Sequence, residues 1–469
     1  MKKTYIDTAM ERIAPDLILK GGNVVDVFSG RVIKADVIIK DGIICGVGSY
    51  SGENEQDVSD KYVMPGFIDS HVHIESSMTQ PSEYAKAVMP HGITTVIADP
   101  HEITNVCGED GLEFMLKSAK NIPLDVNLML PSCVPATPFE HTGANLDAKT
   151  TQKLAPKFFG IGEMMNYPGI VSGDDETLGK LCLDIIDGHA PLLSGHELDA
   201  YTSAGIKTDH ECSVVEEMTE KISKGMYILL REGTLSLDVA KLIKGVTPYT
   251  LRRCAFCTDD RFVGEIIRDG SIDHCIRKAV SLGLNNIDAI IMATLNACEM
   301  YGMKNKGAIA PSYVADIVVA DDLNLSSISQ VYKNGKLVCE NGTALFECET
   351  VDNSKVTNTV HLPKISADFF KTDVKDKFDA IELIPESIIT KKVTVSYSDS
   401  LSKVCVIERH HNLGTKGIGF VTNYGITNGA IATSIGHNSH NVIVIGDKGF
   451  DYAPQATDEV PLVKFSDRS

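Results

Sequence analysis

Short runs of alternating or β-branched apolar residues, cut by Gly-Gly, Ser-Gly and Asp-Gly, fill residues 17–47 (LILKGGNVVDVFSGRVIKADVIIKDGIICGV). Such pairs punctuate hairpins, so the pattern predicts a small all-β unit. The same texture returns at residues 315–342, with an Asn-Gly turn at 334–335. The two segments are expected to build one composite β-sandwich, residues 1–62 plus 304–347, interrupted by everything between them. A compact domain tolerates such an insertion because its chain ends lie close together.

The intervening stretch, residues 63–303, is about 240 residues long, the usual size of a (β/α)8 barrel. Its pattern agrees. Apolar runs such as GITTVIAD, DVNLML, FFGIGEM and MYILLREG alternate with helical patterns such as GEDGLEFMLKSAK and NIDAIIMATLNACEM. Repeated βα units predict a parallel barrel of the α/β class, with chemistry at the carboxyl ends of its strands. From about Glu349 the chain turns polar and lysine-rich, and KKVTVSY, SKVCVIERHH, GAIATSI and NVIVIG then read as strands. Residues 348–469 are therefore expected to form a third, C-terminal domain, α+β or mostly β.

Composition narrows the function classes. Hydrophobic residues make up 43% and charged residues 23% of the 469, ordinary for a globular enzyme. No apolar run approaches a membrane span, and the start, MKKTYIDTAMERIAPD, lacks a signal-peptide core, so a cytoplasmic location is expected. The 12 cysteines are scattered, and the pair Cys254 and Cys257 has no second pair at zinc-finger spacing; they read as free thiols. A net charge of −19 repels polyanions, which argues against nucleic acid or an anionic membrane as partner and favours a small-molecule substrate.

The candidate chemistry begins at PGFIDSHVHIESS, residues 65–77. His71 and His73, two apart on a short buried strand, face one side and suit a divalent metal. Further strand ends supply Glu163 in FFGIGEMMN, His189 in DIIDGHAP, His210 in AGIKTDHECS and Asp259 in CAFCTDDR. Together these six nitrogen and oxygen donors could hold two divalent metals bridged by a carboxylate. Each has a plainer reading alone: His189 or His210 as a hydrogen-bonded histidine, Glu163 as a turn residue, Asp259 as a helix cap. It is the ordered set on a barrel-sized segment that points to a metal site.

The motifs PGFIDSHVHIESS, GITTVIADPHEITNV, GIGEMMN, DGHAP, DHECS and FCTDDR, with ERHH and HNSHN further on, resemble the bacterial and archaeal adenine deaminases, a branch of the amidohydrolase superfamily. The resemblance runs from the first β segment to about residue 446. It implies a (β/α)8 barrel in which His71 and His73 bind a first metal, Glu163 bridges, His189 and His210 bind a second, and Asp259 ligates the first while moving protons. Manganese or iron is the implied metal, with zinc compatible with the same donors. The implied reaction is hydrolytic deamination of adenine to hypoxanthine and ammonia in purine salvage, by a cytoplasmic homo-oligomer. Hydroxide attacks C6, and Asp259 takes its proton and passes it to the departing amine.

Some residues keep two readings. His101 and Glu102 in ADPHEITN are candidates to protonate a ring nitrogen of the substrate, or to cap a helix or support a ligand. Arg231 after MYILL is a candidate to position substrate, with an internal salt bridge the simpler alternative. His410, His411, His437 and His440 read either as interface and turn histidines or as a lid or further metal site. The rival activities are a hydantoinase- or dihydropyrimidinase-like hydrolase of another cyclic amide, against which the lack of a bridging lysine in FFGIGEMMN counts, and a non-catalytic scaffold. After NVIVIGDKGFDY the resemblance fades, and the C-terminal domain is expected to be shortened.

Overall fold

Hairpin chemistry places the first strands as the pattern predicts. Strands β1 (Leu17–Asp26), β2 (Arg31–Lys40) and β3 (Ile43–Gly48) form an antiparallel meander, with Leu17 opposite Ile39 and Lys40 opposite Ile43. The turn between β2 and β3 is Asp41-Gly42, both at positive φ (48° and 76°), the turn geometry whose twist matches that of the strands it joins. The short β4 (Glu55–Asp57) and β5 (Tyr62–Pro65) lie parallel to β1.

The computed structural model describes residues 2–372, 376–385, 390–396, 401–427 and 429–447. Contacts divide it into two units. One comprises the chain to Pro100, Met115–Ser132 and Ala148–Val351; the other comprises His101–Phe114, Cys133–Asp147 and the chain from Asp352. The excursions 101–114 and 133–147 thus lie inside the predicted barrel segment by sequence and in the second unit by packing.

In the first unit, eight parallel strands follow β5: β6 (Phe67–Val72), β7 (Ile93–Ala98), β8 (Asp125–Leu130), β9 (Gly160–Met164), β10 (Ile186–Gly188), β11 (Thr208–Asp209), β12 (Tyr227–Arg231) and β13 (Cys254–Cys257). Five pair in the order β10-β9-β8-β7-β6 and three in the order β11-β12-β13. A parallel bridge between Val72 and Asp259 joins β6 to the end of β13, and Gly188 N donates to Thr208 Oγ1 at 3.0 Å between β10 and β11. Helical segments separate successive strands, among them Pro81–Val88, Ala148–Leu154, Gly195–Ser203 and Val215–Ser223. Every residue of β6 and β7 is buried, as parallel strands covered by helices require. This is the (β/α)8 barrel.

After the barrel come β14 (Ile317–Ala320), β15 (Ile328–Lys333), β16 (Lys336–Glu340) and β17 (Thr343–Ala344). The two β segments meet edge to edge, because β14 runs antiparallel to β5 with Val319 opposite Val63. One nine-stranded sheet results, and Leu19, Val37, Val63, Ile317, Val319 and Tyr332 share a single core. Lys306 and Lys333 tie it to the barrel: both reach Asp316, at 2.8 and 2.7 Å, and both also meet Asp125 at the start of β8.

The second unit holds a six-stranded sheet, β18 (Lys377–Leu383), β19 (Thr390–Ser396), β20 (Ser402–Ile407), β21 (Lys416–Thr422), β22 (Ala430–Thr433) and β23 (Val442–Gly446), in the order β19-β18-β21-β20-β23-β22. Phe370, Cys405, Ile407, Val442 and Val444 make its core. Strands β19, β20, β22 and β23 are those the alternation predicts; β18 and β21 read from sequence as linker and Gly-rich turn. The last predicted stretch, APQATDEVPLVKFSDRS, lies outside the described residues. All 12 cysteines are free, and among the described residues no helix is long and apolar enough to cross a membrane.

Candidate metal centre

Barrel strands end in a common place, and the polar residue just past each apolar run therefore converges with its counterparts. His71 and His73, at the end of β6, bring their Nε2 atoms to 3.2 Å. His73 Nδ1 donates to the Asp99 carbonyl at 2.8 Å, which fixes the ring and directs Nε2 into the site. That Nε2 lies 3.6 Å from Glu163 Oε1 and 3.1 Å from Asp259 Oδ1. Glu163 Oε2 faces His189 Nδ1 at 2.6 Å and His210 Nε2 at 3.1 Å, so the carboxylate stands between His73 on one oxygen and two imidazoles on the other. His71 stacks on His210 with ring centroids 4.0 Å apart and stands 3.6 Å from Asp259.

Two backbone features set this arrangement. Asp259 adopts a left-handed φ of 57°, uncommon for a non-glycine residue, and is held there by its N–H donating to the His71 carbonyl (3.0 Å) and its carbonyl accepting from His73 N (3.1 Å). Glu163 N donates to Asp99 Oδ2 at 2.9 Å. Only glycine at 162 admits that carboxylate, since a Cβ there would come within 2.1 Å of the same oxygen.

Burial opposes ionisation of both acids, yet each carboxyl is held well below its ordinary range. For Glu163 the imidazoles of His189 and His210 outweigh burial; for Asp259 the His73 contact and the Arg231 guanidinium do. Arg231 Nη1 lies 3.0 Å from Asp259 Oδ2, and the same guanidinium pairs with Glu211 and, at 3.1 Å, with Asp238. Within β6, burial pushes Asp69 up to about 7 against hydrogen bonds from Thr258.

The donors fit a metal pair. Three imidazoles and two carboxylates bring their nitrogens and oxygens within 3.6 Å of one another, with His189 alongside, a donor set suited to divalent cations. The triads His71–His73–Glu163, His71–His210–Asp259 and Glu163–His189–His210 each bring their ligand atoms within 4.8 Å of one another. All six sequence-derived candidates and Arg231 meet in the first unit. His101 and Glu102 belong to the second, where they contact His437.

The sequence model described as amidohydrolase family matches residues 62–338, and that described as adenine deaminase C-terminal domain matches residues 383–459. The chain is 46% identical over 478 residues to adenine deaminase of Clostridium acetobutylicum, covering 98% of this chain and 84% of that one. The chain belongs to the adenine deaminases of the amidohydrolase family. Adenine deaminase 2 of Desulfotalea psychrophila is 44% identical, with 96% of this chain and 82% of that one covered. A crystal structure of β-aspartyl dipeptidase from Fervidobacterium islandicum AW-1 superposes with a TM-score of 0.51 over 72% of this chain and 98% of its own, at 19% identity, a likeness of fold alone. The chain is thus an enzyme of a metal-dependent family.

Reading strand ends alone missed Asp99, Glu211 and Asp238. Asp99 closes the apolar run GITTVIA and Glu211 follows His210, so the same strand-end rule extends to both. Asp238 lies seven residues beyond Arg231 in a loop, and no local pattern marks it.

Proposed function

We propose that this site hydrolyses adenine to hypoxanthine and ammonia, with two divalent cations held by His71, His73, Glu163, His189, His210 and Asp259. The carrying observation is the Glu163 carboxylate standing between His73 on one oxygen (3.6 Å) and His189 and His210 on the other (2.6 and 3.1 Å). Manganese or iron is the proposed metal pair, which when bound makes hydroxide available near neutral pH. Glu163 would be the anion held in common, its charge offsetting the repulsion between two close cations.

Asp259 moves the proton. Its Oδ1 faces the histidines while Oδ2 is fixed by Arg231, so one oxygen is presented in a constant direction. It accepts the proton of the attacking water and delivers it to the departing amino group, so that adenine and water become hypoxanthine and ammonia. Arg231, engaged with three carboxylates, acts by positioning Asp259. We place the enzyme in purine salvage, as a homo-oligomer of the cytoplasm without nucleic-acid or membrane partners.

The test is ammonia release together with the adenine-to-hypoxanthine absorbance change, on metal-stripped protein and on protein reloaded with manganese, iron or zinc. Turnover that returns with metal is the expected result. A folded, metal-loaded protein that leaves adenine unchanged would overturn the reading.

A further inference from the structure

The second unit carries a side-chain cluster of its own. Glu102 lies in the first turn of the helix His101–Ser118 and is buried, 2% exposed. His101 Nε2 stands 2.9 Å from Glu102 Oε1, and His437 Nε2 stands 2.9 Å from the same oxygen. His440 Nε2 contacts the other oxygen, Oε2. The rings of His101 and His437 are nearly perpendicular, 76°, with centroids 5.4 Å apart, and the ligand atoms of His101, Glu102 and His437 all lie within 4.8 Å of one another.

These spacings are those of a metal site. Bonds of about 2.0–2.1 Å to a tetrahedral zinc-class ion separate neighbouring ligand atoms by about 3.3 Å, within a few tenths of an ångström of the two contacts seen. A supporting shell is present as well. His437 Nδ1 meets Asn438 Oδ1 at 2.9 Å, which turns Nε2 towards Glu102. The loop bearing His437 and His440 is pinned by His410 Nε2 donating to the Ser439 carbonyl (2.7 Å) and by Asn441 Nδ2 donating to the His141 carbonyl (2.8 Å). Glu140, within electrostatic reach of Glu102 and His101, has a buried carboxylate oxygen with no hydrogen-bond partner among the described residues, a further anion for a cation to balance. The side chain of His437 is 46% exposed, so an ion can enter from solvent.

We propose that the second unit binds one divalent cation of the zinc class through His101 Nε2, Glu102 Oε1 and His437 Nε2, with solvent at the fourth position. His440 holds the remaining Glu102 oxygen and keeps that carboxylate monodentate. The ion links the start of the helix His101–Ser118 to the loop between β22 and β23, segments more than 300 residues apart in sequence. The proposal does not depend on the reaction assigned to the barrel.

The experiment counts metal. Full-length protein is stripped with chelator, reloaded with Zn2+, desalted and measured by mass spectrometry against protein concentration, alongside His437→Ala and Glu102→Gln, with the fold of each checked by circular dichroism. The quantity read is the difference from wild type, so it stands whatever the barrel holds. One equivalent per chain is lost in both variants if the site exists, and cobalt-loaded His437→Ala lacks one component of the wild-type absorption spectrum. His71→Ala removes metal from the barrel and leaves the His437-dependent equivalent in place. Equal metal content in wild type and His437→Ala would overturn the proposal and leave the cluster as hydrogen bonds around a buried carboxylate. A difference that vanishes in the His71→Ala background would also overturn it, by assigning the equivalent to the barrel.

Discussion

Arg231 Nη1 lies 3.0 Å from Asp259 Oδ2, and this pair couples the carboxylate proposed to carry the proton to a buried network of Glu211 and Asp238. Removing the guanidinium leaves three carboxylates buried without their cation. Arg231→Met is expected to cost about 3–5 kcal/mol of stability, the range for breaking a buried ion pair. Urea unfolding measures the loss. Arg231→Lys keeps the charge without the fork, so it should retain more stability while its kcat still falls; equal kcat in Arg231→Lys and wild type would remove Arg231 as a positioning residue.

Asp259→Asn keeps the side chain's shape and removes its capacity to carry a proton. Turnover of adenine should fall about 10²–10⁴-fold, the usual share of general acid–base catalysis, with part of the bound metal retained. His71→Ala should instead lower the metal count first. Steady-state kinetics beside metal analysis separates the two outcomes, and full activity in either variant would strike that residue from the mechanism.

Gly162→Ala tests the packing behind the Glu163 carboxylate. A methyl group 2.1 Å from Asp99 Oδ2 must displace Asp99, whose oxygen accepts from Glu163 N. Overpacking of this kind costs about 1–3 kcal/mol, and here the strain falls on Glu163. The expected outcome is reduced metal affinity, read by competition with a chromogenic chelator. Unchanged affinity would show that the Asp99 hydrogen bond does not orient Glu163.

Acid should weaken the tie between sheet and barrel. Asp316 is buried, which by itself raises a carboxyl pKa, yet Lys333 and Lys306 hold it below its ordinary value. A depressed folded pKa contributes stability that is present above the unfolded value of about 3.9 and is lost as pH falls through the folded value. The difference in unfolding free energy between wild type and Asp316→Asn should therefore be constant from neutral pH to about 4 and narrow below it. Denaturant titrations at several pH values read this directly, and a gap that widens in acid would contradict the assignment.

The sequence by itself determined the barrel strands, the hairpin turns and the six candidate donors, because each is a local signal. Apolar runs specify strands, Asp41-Gly42 and Asn334-Gly335 specify turns through their φ values, and a polar residue after a strand specifies a place at the barrel's active end. The family was legible for the same reason, its motifs being short and contiguous. Only the tertiary structure decided how the two β segments join, since the pairing of β5 with β14 spans some 250 residues and leaves no local trace. It also decided the role of Arg231, whose partners Glu211, Asp238 and Asp259 come from separate loops, and it gathered His101 and Glu102 with His437 and His440 in the second unit. Strands β18 and β21 escaped the sequence reading because their lysines and glycines suit a sheet only once neighbouring strands supply the hydrogen bonds and the packing that local propensity lacks.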